Sequence, residues 1–175
     1  MGRNLKGLLE ALLFVTPQPL SLHALKKLIP EEEGRRIREA LEELKREYER
    51  DDRGIQLVEV AGGYQLRTRS QYAPWIRRLK KVRPLRLSQA ALETLAIVAY
   101  RQPLTRGEIE EIRGVDSGWV IGSLMEKGLI RPVGRKEGPG RPLLYGTTER
   151  FLEVFGLKDL KSLPTLKEIE ELREG

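Results

Sequence analysis

Apolar residues recur at helical spacing from the start of the chain. Leu5, Leu8, Leu9, Leu12 and Val15 follow the i, i+3, i+4, i+7 rule of a helix over residues 4–16. Leu13 and Phe14 widen its apolar sector beyond one stripe, as in helices buried on more than one side. Pro17 and Pro19 end it. Ser21 predicts the cap of a second helix, 22–28, closed by Pro30. A third helix, roughly 32–50, turns Ile37, Leu41, Leu44 and Tyr48 inward. Two short strands, 55–60 and 64–68, follow, with Gly62-Gly63 supplying the tight turn. Pro74 opens a short helix with Trp75, Ile76 and Leu79 on one side, and Pro84 stops it.

The plan then repeats. Ser88 caps a helix to about Tyr100, with Ala91, Leu92, Leu95, Val98 and Ala99 inward. Thr105-x-x-Glu108 is a capping box that opens a short helix to Ile112. Asp116 caps a third helix to Lys127, closed by Gly128. Strands 129–134 and 142–147 flank a wing tip over 135–141, and a last helix, 148–155, ends at Gly156. Residues 157–175 form a tail, in which Thr165-x-x-Glu168 caps a short helix with Leu166, Ile169 and Leu172 on one face. The two halves match in wording as well as order. LEALLFV at Leu9–Val15 answers LETLAIV at Leu92–Val98, and Gln18-Pro19-Leu20-Ser21 answers Gln102-Pro103-Leu104-Thr105 one residue out of step. Leu25 and Leu28 answer Ile109 and Ile112 at that new offset. Helices followed by a hairpin, twice over, predict a mainly α fold with small β-hairpins: two tandem winged-helix domains. The expected boundaries are 1–73, a basic connector 74–87, 88–156, and the tail.

Composition narrows the function classes. There is no Cys, which excludes disulfides and thiolate metal sites and fits a reducing compartment. No apolar run reaches 18 residues, so no membrane span is expected, and the start lacks a cleavage-site pattern; a cytoplasmic protein is expected. The net charge of +6 is local. Residues 74–87 hold six basic and no acidic groups, while both flanking domains are close to neutral.

No catalytic, cofactor or metal constellation stands out. His23 is the one His, on a predicted surface helix. The glycines of 134–140 lack a following G-K-[ST] and join two strands, so they make a turn and not a phosphate loop. DNA reading is the serious rival, because a winged helix commonly places its third helix in the major groove. At about 100° per residue, Val120, Ile121, Leu124 and Met125 of the second unit point inward, while Trp119, Gly122, Ser123 and Glu126 point outward. That outer face lacks the Arg, Lys, Asn or Gln that direct base readout requires. It suits a protein partner, with Trp119 as its anchor; the alternative is a Trp119 packed under the wing or tail, since Trp is largely buried in general. Phosphate contact is left to two basic groups: Arg77, Arg78, Lys80 and Lys81 in the connector, with Arg83 and Arg86, and Arg135, Lys136 and Arg141 on the wing, with Arg131. A solvated surface is the plainer reading of both. Nucleic-acid binding is therefore expected to be at most weak and non-specific. A dimeric winged-helix DNA-binding transcription regulator stays open as the alternative.

The run LSQAALETLAIVAYRQPLTRGEIEEIRGVDSGWVIGSLMEKGLI, followed by GRKEGPGRPLLYGTTERFLEVFGL, closely resembles the bacterial segregation and condensation protein B family. The N-terminal LLEALLFVTPQPLSLHALKKLIP resembles it more loosely. Trp119 departs from the small residue expected there. The resemblance implies a non-enzymatic subunit of the condensin-like SMC complex, acting on the nucleoid in chromosome condensation and partition at cell division. It implies N-terminal domains paired into a homodimer. It also implies C-terminal domains that hold the kleisin subunit, segregation and condensation protein A, and through it, indirectly, the SMC ATPase heads.

Overall fold

Leu9, Leu13, Leu25, Ile29, Ile37, Leu41, Leu44, Leu57 and Tyr64 pack into one core, and the elements of the first half form around it. In this computed structural model, residues 4–50, 52–80, 85–165 and 168–169 are described. Helix α1 (Leu5–Val15) starts where Asn4 Oδ1 accepts from the Gly7 amide at 3.1 Å. Helix α2 (Leu22–Leu28) is capped by Ser21, as its sequence predicts. Helix α3 (Gly34–Tyr48) is shorter than its expected span and buries Ile37, Leu41 and Leu44. Lys6 pairs with Glu47, and the Tyr48 hydroxyl donates to Glu10, tying α3 to α1. Burial first, and then Glu10, pushes the Tyr48 hydroxyl up to about 12. The apolar sector of α1 is not all covered within this unit: Phe14 and Val15 are 78% and 71% exposed.

Strands β1 (Ile55–Val60) and β2 (Gly63–Thr68) pair antiparallel. The turn between them is Ala61-Gly62, at φ 49° and 69°, and not the expected Gly62-Gly63. Gly63 serves a different purpose. Leu20 crosses to Tyr64 with backbone bonds of 2.9 Å in both directions, and a Cβ on Gly63 would lie 2.8 Å from the Leu20 carbonyl. A 3-10 turn, Ser70–Tyr72, leads into α4 (Ala73–Lys80), which buries no residue.

The second half repeats this layout. Ser88 caps α5 (Gln89–Arg101). Its inward face is Ala91, Thr94, Leu95, Val98 and Ala99, and Leu92, expected inward, is 41% exposed. Thr94 can be fully buried because its hydroxyl donates to the Ala90 carbonyl at 2.8 Å. Strand β3 (Leu104–Thr105), not anticipated from periodicity, pairs with β5 (Leu143–Thr147), which also pairs with β4 (Ile130–Arg135), giving the order β3-β5-β4. Leu104 lies opposite Tyr145 as Leu20 lies opposite Tyr64, so the sequence repeat is a structural one. On β4, Pro132 precedes a register shift against β5. Helices α6 (Arg106–Arg113) and α7 (Gly118–Glu126) follow β3. Helix α8 (Glu149–Phe155) is capped by Thr148 and buries Phe151.

The chain divides into two units, residues 1–83 with 157–175, and residues 84–156. The segment after α8 thus belongs with the first unit. The Ala61 and Gly62 amides donate to the carbonyls of Leu157 and Lys158 at 2.9 and 2.8 Å, and Lys158 pairs with Glu59 at 2.8 Å. Glu168 accepts from the Thr165 amide at 2.7 Å, forming the capping arrangement expected there. Leu166 and Leu172 lie outside the described residues. Among the described residues no helix is long and apolar enough to cross a membrane.

Two predictions follow from local geometry. Gly63→Ala forces β2 away from Leu20 and should destabilise the first unit by about 1–3 kcal/mol in urea unfolding. Gly34→Ala, where a Cβ meets nothing within 4 Å, should stay within about 0.5 kcal/mol of the parent. The second concerns the capping box of α6. Lys136 first, and then the Thr105 backbone and side chain, hold the Glu108 carboxyl down to about 2, against an ordinary value of 4.5. A carboxylate depressed on folding contributes stability that is fully present above its ordinary value and lost as pH falls toward the depressed one. The cap's contribution to stability should therefore begin to decline below about pH 4.5 and be lost near pH 2, where the folded carboxyl itself takes up its proton. An NMR titration of the Glu108 side chain checks this, and Lys136→Ala should move its midpoint upward.

Candidate functional site

The turn between α6 and α7 is held by charge. Arg106 on α6 pairs with Glu110 one turn later, at 2.6 Å, and with Asp116 beyond the helix. Glu110 Oε1 also accepts from the Ser117 amide at 2.9 Å. That bond first, and then Arg106, lowers the Glu110 carboxyl below its ordinary range. Arg113 donates to the Ser117 hydroxyl at 3.1 Å and pairs with Glu93 of α5 at 3.4 Å. Ser117, not Asp116, is the N-cap residue of α7. Asp116 instead accepts from the Gly118 amide at 3.2 Å. A Cβ on Gly118 would lie 2.6 Å from the Arg106 guanidinium, so a side chain there would displace that flexible group from its bonds to Glu110 and Asp116. The start of α7, and with it the next residue, Trp119, is fixed by these bonds.

Trp119 is 79% exposed. Val120, Ile121 and Leu124 are buried, as their spacing predicts, but Met125 is 37% exposed and does not join them. The inward stripe of so short a helix needs only three residues. Of the other outward residues, Gly122 opens onto bare space, since a Cβ would meet nothing within 4 Å. The Ser123 hydroxyl accepts from Lys127 at 2.7 Å, and Glu126 is exposed. Ile112 and Val115, at the end of α6 and in the turn, add 44% and 54% exposed aliphatic surface. The face of α7 is thus an aromatic anchor beside open backbone, with its one nearby cation already engaged. It offers shape and apolar area to a partner, and no donor pair for a base edge.

The two basic groups fall in different units. Arg77, Arg78 and Lys80 stand exposed on α4, and Lys81 lies outside the described residues. On the wing, Arg135 and Arg141 are exposed, but Arg135 donates to the Arg141 carbonyl at 3.0 Å. Lys136 pairs with Glu108 at 2.6 Å. The Arg106 cluster escaped the sequence reading. Its one local signal was the Arg106/Glu110 spacing, since the bonds to Asp116, Ser117 and Glu93 depend on how α5, α6 and α7 meet.

The arrangement of caps and wings has close relatives. Residues 7–166 match the family described as "Segregation and condensation complex subunit ScpB". Segregation and condensation protein B of Syntrophotalea carbinolica is 56% identical over 169 residues, covering 97% of this chain and 85% of that protein. The Moorella thermoacetica protein of the same name is 50% identical over 172 residues, covering 98% and 88%. Among solved structures, ScpB from Mycobacterium tuberculosis is 39% identical and covers 87% of this chain and 95% of its own, with a TM-score of 0.40. A dimer of an ScpB N-terminal domain complexed with an ScpA peptide is 36% identical, covering 42% of this chain and 91% of its own, with a TM-score of 0.39. Identity at this level, over nearly the whole length of both partners, settles the lineage: this chain belongs to the segregation and condensation protein B family.

Proposed function

We propose that the protein is a non-enzymatic subunit of the chromosome condensation complex and works by holding a segment of the kleisin, segregation and condensation protein A. Its place is the cytoplasm, on the nucleoid. Within the second unit, the single observation that favours protein over DNA recognition is Trp119, 79% exposed on a third-helix face without base-reading side chains. An indole that open to water gains most when a partner covers it, because a Trp at the centre of an interface is among the costliest residues to remove. The bonds that hold the start of α7 fix its backbone beforehand, which lowers the ordering cost of binding. A transcription regulator would need readout residues where Gly122, Ser123 and Glu126 stand.

The first unit is proposed as the homodimerisation domain, through the uncovered end of α1. Phe14 and Val15 are apolar, adjacent and largely exposed, on a helix whose leucines line the core. The relative crystallised as an N-terminal-domain dimer carries an ScpA peptide. Kleisin contact in this protein is accordingly proposed for the first unit as well as for α7.

Mixed with the matching kleisin fragment at micromolar concentration, the protein should co-elute with it in size exclusion, and elution as separate peaks would count against the whole reading. Trp119→Ala should weaken that complex by about 2 kcal/mol, roughly thirtyfold, in calorimetry, without changing the unfolding midpoint. Phe14→Glu with Val15→Glu should give a folded monomer by light scattering. These exposed positions test pairing without disturbing the core, as charge at Leu9 or Leu13 would.

A further inference from the structure

We propose that α4 is a sequence-independent contact for the phosphate backbone of duplex DNA, made by Arg77, Arg78 and Lys80 with Trp75 beside them. From Val60 to Leu92 the chain contains eight basic residues and no acidic one. Several exposed cations elsewhere in the first unit are paired, Arg35 with Glu39, Arg36 with Glu32, and Lys6 with Glu43 and Glu47, and Arg38 and Arg46 alternate on α3 with Glu39, Glu42 and Glu43. The wing lysine is held by Glu108. Among the described residues, none of the three α4 cations forms an ion pair or donates a hydrogen bond to the protein. What sets the α4 cations apart is that no acidic residue lies near them in the sequence, and charge of one sign without partners attracts a polyanion.

The helix itself calls for a partner. It has eight residues and buries none. A free helix of that length is marginal in water. It is about 12 Å long at 1.5 Å per residue. Duplex DNA carries one charge per roughly 1.7 Å, so the helix faces several phosphates at once. Trp75 is 63% exposed, with its ring centroid 6.5 Å from that of Tyr72, which places an aromatic pair beside the cations. An acidic protein face is the competing occupant. It is less well matched, because carboxylates on a protein face are scattered, whereas a duplex presents a regular row of phosphates along the length of the helix.

The test uses the full chain and fluorescence anisotropy of two labelled 30-base-pair duplexes of unrelated sequence, at several salt concentrations. Both duplexes should bind with the same affinity. The triple variant Arg77→Glu, Arg78→Glu, Lys80→Glu should bind at least tenfold more weakly at low salt. Its slope of log affinity against log salt should be shallower by about 2–3, from roughly 0.9 per phosphate contact. Arg77→Lys with Arg78→Lys should bind like the parent, since phosphate contact needs charge and not a fork. Three outcomes overturn the proposal: no binding at low salt; binding that survives the triple variant but is lost in Arg135→Glu with Arg141→Glu; or displacement of DNA by polyglutamate at equal charge concentration. Kleisin co-elution is measured separately on the parent chain, so failure here leaves the docking reading standing.

Discussion

Both units depend on one backbone crossing. After the first helix of each, the chain turns back and hydrogen-bonds to the second wing strand, Leu20 to Tyr64 and Leu104 to Tyr145. The very next residue, Ser21 or Thr105, caps the following helix. Each such bond contributes only about 1 kcal/mol net. Their weight lies in register: they fix which residue begins the next helix, and so which of its faces meets the core. Leu25 and Ile109, four residues on, are both fully buried as a result.

Legibility in the sequence follows the range of the interaction. Caps are decided within four residues, and Ser21, Ser88 and Thr105 sit where their spacing places them, while Asp116, drawn to Arg106, leaves the cap position of α7 to Ser117. The outward set on α7 was legible because helical period alone selects it, Met125 excepted. Choices made by distant atoms were not legible. Gly62-Gly63 reads as a turn pair because both residues tolerate positive φ, yet the approach of Leu20 claims Gly63 and shifts the turn to Ala61-Gly62. On α5, Leu92 looks like core and Thr94 does not. A threonine that satisfies its own hydroxyl on the preceding turn fits the interior instead. The return of Leu157 and Lys158 to the first hairpin has no local signature at all.

Charge is used in two ways on this protein. Around the start of α7 it is spent inward: Arg106, Arg113, Glu93, Glu110 and Asp116 satisfy one another and hold a turn. Such pairs add little stability at an exposed site, but they leave the neighbouring surface to Trp119 and the small residues beside it. On α4 the cations are set out with nothing to neutralise them. The exposed aromatic face of α7 and the exposed cations of α4 thus lie on separate units.

Strand β4 has a further consequence. It is the outer strand of its sheet, and an outer strand ordinarily invites another chain to extend it. Pro132 removes an amide from its ladder, and the register shift that follows breaks the regular spacing of the rest. Strand β3, at the other border, is two residues long. Neither border is a template for strand addition. Copies of this unit are thereby kept from annealing edge to edge.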